Sequence, residues 1–176
     1  MKRLTWLIPA IFLMCVPARA QQTPQWELSG GYAHLFADAG GNSFNLDGGG
    51  GTLQENRNDW FGARVEINAF GGDTNGLHVT AQTYSFGPVF SYRKYERFTP
   101  FAHIQLGAFH ASAGYLGISE AATRMLIAPG GGVDIGLNPR LSLRVQGDYV
   151  TTDFLNDRQH NFQFSAHLVF RIGHKH

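Results

Sequence analysis

Apolar and polar residues alternate along the last segment of the chain, and this alternation limits the folds that the chain can adopt. Between Asn161 and Gly173, every second residue from Phe162 to Ile172 is apolar, and most of the residues between them are polar. Successive side chains of a β-strand point to opposite faces, so this segment predicts a strand with one apolar and one polar face. Seven earlier segments show the same alternation. The sequence therefore predicts an all-β fold, an eight-stranded antiparallel up-and-down barrel.

The predicted strands are joined by connections that alternate between short and long. The strands cover approximately 25–36, 45–55, 60–71, 79–93, 100–111, 124–137, 141–152 and 161–173. The short connections are 56–59, 94–99 and 138–140, and the long ones are 37–44, 72–78, 112–123 and 153–160. Short turns at one end and long loops at the other are typical of a transmembrane barrel with an even number of strands. In the second strand, Gly48 to Gly51 predicts a bulge or strong curvature.

Residues 1–20 have the features of a secretory signal peptide. Lys2 and Arg3 precede an apolar run, and residues 18–20 form an A-x-A cleavage site. We therefore expect residues 21–176 to form one outer-membrane β-barrel domain. Cys15 is the single cysteine and precedes the cleavage site, so we expect no disulfide in the exported protein. No later stretch approaches the ~20 apolar residues of a transmembrane helix.

The predicted exported chain is not strongly basic. Removal of Lys2, Arg3 and Arg19 leaves 11 of the 14 basic residues against 13 acidic residues. A net charge of −2 provides no basic field for a nucleic acid partner, and we expect none.

A soluble barrel and a membrane barrel would both show alternating strands, but they turn opposite faces outward. A lipocalin-like barrel encloses its apolar face, whereas a membrane barrel turns that face toward lipid. Only 15% of the residues are charged, and the three lysines lie outside the predicted strands. The polar faces carry four bases and four acids, a balanced set that suits the side-chain-filled interior of an eight-stranded barrel. These residues are Arg64, Arg93, Arg144, Arg171, Glu27, Glu66, Asp134 and Asp148. Both observations favour the membrane barrel.

Aromatic residues gather near both ends of the predicted strands, as in the interfacial girdles of membrane barrels. At the short-turn end they are Trp26, Trp60, Tyr92, Tyr95, Phe98 and Phe101. At the long-loop end they are Phe36, Phe70, Tyr84, Tyr115, Phe154 and Phe162.

Several segments resemble the outer-membrane β-barrel domain family related to OmpA and OmpX. They are Tyr84–Arg93, Glu96–His103, Gly130–Ile135, Arg144–Tyr149 and Val169–Gly173. The resemblance covers nearly the whole chain after residue 20. It implies a location in the outer membrane, with the lipid bilayer as partner, and its motifs carry no catalytic residues. One departure is at the C-terminus, where the assembly signal of the family usually ends near an aromatic residue and here residues 171–176 follow Phe170.

The sequence predicts no catalytic, cofactor-binding or metal-binding residues. No two histidines have zinc-ligand spacing within a strand, and His103 and His110 are an odd number of residues apart, so they face opposite sides. Gly48 to Gly51 lacks the Lys-Ser/Thr pair of a phosphate-binding loop. Ser, His and Asp occur on the polar face, as in a barrel lipase or protease, but nothing spaces them as a nucleophile and its base.

We therefore expect a monomeric, non-enzymatic outer-membrane barrel with a structural, envelope-integrity or surface-interaction role. An extracellular partner would bind through the long loops. The loop over 112–123 contains Tyr115, Leu116 and Ile118, and we expect it to fold over the barrel mouth or to contact the partner. The alternatives are a narrow channel for small or hydrophobic solutes and a soluble periplasmic lipocalin-like ligand binder.

Overall fold

The described part of the chain forms a closed barrel of eight antiparallel strands. The computed structural model describes residues 23–39, 42–74, 77–95, 97–115, 118–154 and 157–173, with the side chains of 38–44, 74–78, 113–122 and 153–160 left out. The strands are β1 (Trp26–Ala39), β2 (Asn42–Asn56), β3 (Phe61–Thr74), β4 (Leu77–Ser91), β5 (Phe98–Tyr115), β6 (Ile118–Asn138), β7 (Leu141–Phe154) and β8 (Asp157–Ile172). Each strand pairs with the next, and β8 pairs with β1. The predicted fold class is therefore confirmed, whereas the predicted signal peptide over 1–20 lies outside the described residues.

The two ends of the barrel differ in how the strands are connected. The connections 57–60, 92–97 and 139–140 lie at the end where β1 begins and β8 finishes, which we call the turn end. At the opposite end, the hairpin end, the strands continue to within two residues of each other in sequence. The prediction of long loops at this end is wrong. In the predicted loop over 112–123, for example, Ser112 pairs with Ala121 and Tyr115 pairs with Ile118, so the strands continue through it. Extending the ladder satisfies backbone N–H and C=O groups that a loop would leave to water.

In every strand except β2, the apolar face points outward. Phe86 is 63% exposed and Met125 is 65% exposed, whereas the inward-facing Arg64 is 1% exposed. On β8 the outward apolar residues run from Phe162 to Ile172. Ten residues at ~3.3 Å each, on a strand tilted by roughly 40°, span about 25 Å along the barrel axis, the height of the lipid-facing band of such barrels. The facing predicted for a membrane barrel is confirmed.

The aromatic girdles are only partly as predicted. Trp60, Tyr92, Tyr95 and Phe98 are exposed around the turn end. Phe36, Tyr84 and Phe162 are exposed on the outer wall toward the hairpin end. Phe101 and Phe70 were expected in these girdles, and that prediction is wrong, because both are buried inside the barrel. Phe70 follows the outward-facing Ala69 and Phe101 precedes the outward-facing Ala102, so strand alternation turns both rings inward. The side chains of Tyr115 and Phe154 lie outside the described residues.

The glycine run of β2 is regular rather than bulged. Gly48 to Gly51 pair in unbroken register with Gly30–Ala33 of β1 and with Ile67–Phe70 of β3. A Cβ on Gly48 would overlap the backbone of Ala69 in β3, so the missing side chain allows the two strands to approach closely. The register irregularity in the described ladders lies between Gly136 and Asn138 of β6.

Candidate functional site

The barrel interior is the candidate functional site, and its side chains form three layers along the axis. The layer nearest the turn end, which we call the charged floor, consists of Glu27, Arg93, Asp134, Arg144 and Arg171. Above it lies a middle layer rich in amide and histidine side chains. Toward the hairpin end the interior becomes apolar.

Arg144 links the two carboxylates of the charged floor. Its Nε and Nη2 donate to the two oxygens of Asp134, each at 2.7 Å, which is a bidentate pair. Nη2 also donates to Glu27 Oε2 at 2.8 Å. Arg93 donates from Nη2 to the other oxygen of Glu27 at 2.7 Å. Both carboxylates are therefore engaged by guanidinium groups, and the two that bind Glu27 come from distant parts of the chain.

Arg64 and Phe101 connect the charged floor to the middle layer. Arg64 donates from Nε and Nη2 to Gln54 Oε1 at 3.0 and 2.8 Å, and from Nη1 to Gln146 Oε1 at 3.0 Å. The guanidinium carbons of Arg64 and Arg144 lie 4.7 and 4.9 Å from the centroid of the Phe101 ring. At these distances both cations interact with the ring electrons of the inward-facing Phe101.

The acids of the middle layer are bound by neutral groups and a histidine. Glu66 accepts hydrogen bonds from the amides of Asn68, Gln105, Gln146 and Gln163 at 3.0 to 3.3 Å. Asp148 Oδ1 lies 2.6 Å from His103 Nε2. The four predicted bases and four predicted acids thus all face the interior. Of these eight described residues, direct ion pairs between arginine and carboxylate join four, namely Glu27, Arg93, Asp134 and Arg144.

The interior near the hairpin end is an apolar plug that the sequence analysis missed. Its members are Ala33, Leu35, Leu46, Phe70, Ala81, Phe109, Leu126, Ala128 and Val150. These residues occupy the inward positions of seven strands, at which polar residues were expected. The signal was present in the alternation, because Leu35 and Phe109 fall on the otherwise polar face of their strands. A cavity of about 10 Å³ separates the plug from the middle layer, room for roughly one water molecule.

One serine and one histidine meet inside the barrel. Ser29 Oγ lies 3.2 Å from His167 Nδ1 and 2.7 Å from Thr52 Oγ1, across the junction of β1 and β8. A catalytic triad needs a third group that orients the histidine. Within the described part of the chain, His167 Nε2 has no hydrogen-bond partner, and all three side chains are buried. The pair therefore has neither an acid to orient the histidine nor open access for a substrate.

The remaining histidines do not assemble into a metal site in the described ranges. His103 is buried inside, whereas His110 lies on the outer wall and contacts Thr123 at 2.8 Å, so the prediction that they face opposite sides is confirmed. On the outer wall, His34 Nδ1 lies 2.7 Å from Asp47 Oδ1, and Tyr32 donates to the same oxygen. Among the described residues, no group of three or more His, Cys, Asp or Glu could hold a metal ion. The same residues include no helix that is long and apolar enough to cross a membrane.

The sequence and the fold together decide the family. The family whose sequence model matches the chain is described as "Outer membrane protein beta-barrel domain", and the match covers residues 7–170. The chain belongs to this family. It is therefore a protein of the bacterial outer membrane, embedded in lipid through the apolar outer face of its strands. Among curated proteins, no significant sequence match is found.

Solved outer-membrane barrels share the fold at low sequence identity. Neisserial surface protein A is 13% identical with a TM-score of 0.74, over 84% of this chain and 97% of that chain. Ail, the attachment invasion locus protein of Yersinia pestis in complex with the heparin analogue sucrose octasulfate, is 18% identical with a TM-score of 0.60, over 82% and 97%. OprG from Pseudomonas aeruginosa is 8% identical with a TM-score of 0.60, over 89% and 100%. These likenesses concern the fold alone.

Proposed function

We propose that this protein is a monomeric, non-enzymatic barrel of the OmpA/OmpX type that maintains the envelope and presents its hairpin end to a partner outside the cell. The observation that carries the proposal is the filled interior. Buried ion pairs close the barrel at the turn end, and apolar side chains close it toward the hairpin end. A barrel filled in this way supplies a rigid membrane anchor rather than a path for solutes.

The alternative is a narrow channel for small or hydrophobic solutes. A solute in such a channel would have to pass two barriers, one apolar and one charged. An ion would need to cross the apolar plug without water, which is costly. A hydrophobic solute would need to cross the charged floor, where Glu27, Asp134 and Arg144 are each no more than 2% exposed. The cavity between these layers has room for roughly one water molecule. The interior therefore favours the closed barrel.

We expect the purified protein to conduct no ions in planar lipid bilayers. The purified barrel should insert without producing stable, ohmic current steps in roughly molar KCl, because both ends of its lumen are occupied by side chains. The matched variant is Phe70→Ala with Phe109→Ala, which removes the two largest side chains of the plug and should raise current noise without opening a full pore. Reproducible current steps from the wild-type protein, absent after boiling, would show a channel and reject the closed-barrel proposal.

We infer that the hairpin end faces the exterior and the turn end the periplasm. Both described termini, Thr23 and Gly173, lie at the turn end, as in barrels that are exported and inserted from the periplasmic side. A signal peptide over 1–20 suits that route. Ail is named for attachment and invasion, and Neisserial surface protein A for the cell surface. Their names support a surface role for the hairpin end, here presented on extended strands instead of long loops.

Surface labelling tests this orientation directly. An epitope inserted at Gly117, in the connection between β5 and β6, should bind antibody on intact cells. The same epitope inserted at Pro139, in the connection between β6 and β7 at the turn end, should bind only after the outer membrane has been opened. The opposite labelling pattern would reverse the orientation and with it the proposed surface role.

A further inference from the structure

The charged floor contains guanidinium donors that its carboxylates do not use. Among the described residues, five buried guanidinium nitrogens have no hydrogen-bond partner in this layer. They are Nε and Nη1 of Arg93, Nη1 of Arg144, and Nε and Nη2 of Arg171. Buried donors are nearly always satisfied in proteins, and charged donors are the most costly to leave without a partner. The floor therefore has hydrogen-bonding capacity that points to a further acceptor.

The charges of the floor lead to the same conclusion. Three guanidinium groups face two carboxylates, which leaves an excess of one positive charge. Glu27 lies directly opposite Arg171 in the ladder between β1 and β8. Its two oxygens are nevertheless taken by Arg93 and Arg144 at 2.7 and 2.8 Å. Arg171 stays within electrostatic range of all four other members of the floor and forms no ion pair with Glu27 or Asp134.

Arg171 presents the pair of donors that recognises an oxyanion. Nε and Nη2 form one edge of the planar guanidinium group, and this edge binds two oxygens of a carboxylate or phosphate at once. Arg144 uses the same edge for Asp134 in the same layer, which shows that the surroundings suit such a pair. The corresponding edge of Arg171 is unused.

The charged floor lies at the turn end of the barrel interior. Arg93 lies in the connection 92–97, just beyond the end of β4, and its side chain is 5% exposed. Arg171 is the second-last residue of β8 and is half-buried. Both residues thus lie where the interior meets the solvent at the turn end, below the closed layers of the lumen.

We propose that the charged floor binds a small oxyanion, a phosphate or carboxylate group, between Arg171 and Arg93. The oxyanion accepts two hydrogen bonds from the Nε–Nη2 edge of Arg171, with further donors from Arg93, and balances the excess positive charge. Two sources offer this chemistry at the turn end, namely a free anion in the aqueous phase and the phosphate of a lipid headgroup in the adjacent leaflet. The proposal concerns a binding site and stands independently of the closed-barrel function.

Stability measurements with inorganic phosphate test the site. The folded protein in a phosphate-free maltoside detergent is unfolded with urea at increasing sodium phosphate, and sodium chloride is used at the same ionic strength for comparison. A ligand that binds only the folded state raises the midpoint of unfolding in a saturable manner. We expect half-saturation on the order of 1 mM, the affinity that a few charge-assisted hydrogen bonds provide.

Two matched variants separate the site from general charge screening. Arg171→Lys keeps the charge but removes the two-donor edge, and we expect it to weaken phosphate binding about tenfold or more while the barrel still folds. Arg140→Gln removes an exposed cation from the same end of the barrel and should leave the half-saturation unchanged. Equal responses to phosphate and chloride, or equal responses of the two variants, would overturn the proposal.

Lipid vesicles distinguish the two sources of the oxyanion. In vesicles that contain phosphatidylglycerol, a headgroup bound at the site would abolish the further response to added phosphate, and Arg171→Lys would then lower the stability of the vesicle-bound protein. An undiminished phosphate response in the same vesicles would assign the site to a free anion. Both outcomes support binding at Arg171, whereas no response to phosphate in detergent together with no effect of Arg171→Lys in the vesicles would reject it.

Discussion

Arg144→Ala is expected to destabilise the folded barrel by about 3–5 kcal/mol, because it leaves a buried carboxylate without its counter-ion. Asp134 is 2% exposed, and both of its oxygens accept hydrogen bonds from Arg144. Glu27 loses one of its two guanidinium partners in the same variant. Urea unfolding of the protein in lipid vesicles, followed by tryptophan fluorescence, would measure the change in the free energy of unfolding.

The control for this prediction is Arg140→Ala, which removes an exposed arginine four positions away and should change the free energy of unfolding by no more than about 0.5 kcal/mol. The double variant Arg144→Ala with Asp134→Ala removes both charges, so it should recover part of the loss. A coupling energy near zero between Arg144 and Asp134 would mean that both groups face bulk water, which contradicts a filled interior.

Alternation in the sequence was sufficient to predict the number of strands and, outside β2, the direction of their faces. It succeeds because the lipid face and the interior impose opposite requirements on neighbouring residues, so a shift by one residue would expose Arg64 or Glu66 to lipid. The eight charged residues of the interior were recognised for the same reason. Which of them pair could not be predicted, since Glu27 and Arg144 are 117 residues apart and meet only through the stagger of the closed barrel.

The wrong predictions, of long loops and of two girdle residues, arose where residue type was used instead of the alternation or the strand pairing. Segments such as 112–123 are rich in small residues and were interpreted as loops, but small residues also fit a β-ladder, and here residues 112–114 pair with both β4 and β6. Phe70 and Phe101 were assigned to girdles from their residue type, although their position in the alternation pointed inward. Where the residue type and the position in the alternation disagree in a barrel strand, the alternation decides the direction of the side chain.

The division of the interior into a charged floor and an apolar plug explains how so small a barrel is closed. Charged groups inside a lumen attract water unless each is hydrogen-bonded to a partner. Toward the hairpin end, the apolar side chains of Leu35, Phe70 and Phe109 fill the lumen and exclude water. At the floor, guanidinium groups outnumber carboxylates, so part of their hydrogen-bonding capacity is unused. The proposed oxyanion site lies at the end where the interior retains unused donors.

Leu168→Arg is expected to destabilise the membrane-inserted barrel by about 2–4 kcal/mol, since it places a charge on the lipid-facing wall near the middle of the bilayer. Leu168 lies in the middle of the outward apolar band that runs from Phe162 to Ile172 and is 45% exposed in the lipid-free structure. The free energy of unfolding would be measured by urea titration in phospholipid vesicles, with the wild-type protein as reference.

The same strand supplies two controls that separate depth in the bilayer from general disruption. Ile172→Arg introduces the same charge on the same face at the turn end and should cost only about 0–1 kcal/mol, because the side chain there reaches the headgroups and water. Ser165→Leu places a larger apolar group on the buried inner face and should destabilise the barrel by overpacking, by roughly 1–3 kcal/mol. Equal stability of Leu168→Arg and Ile172→Arg would mean that lipid does not contact this wall. Only the membrane barrel predicts a cost that rises from the turn end to the middle of the outward apolar band, because a barrel surrounded by water would solvate the arginine equally at both positions.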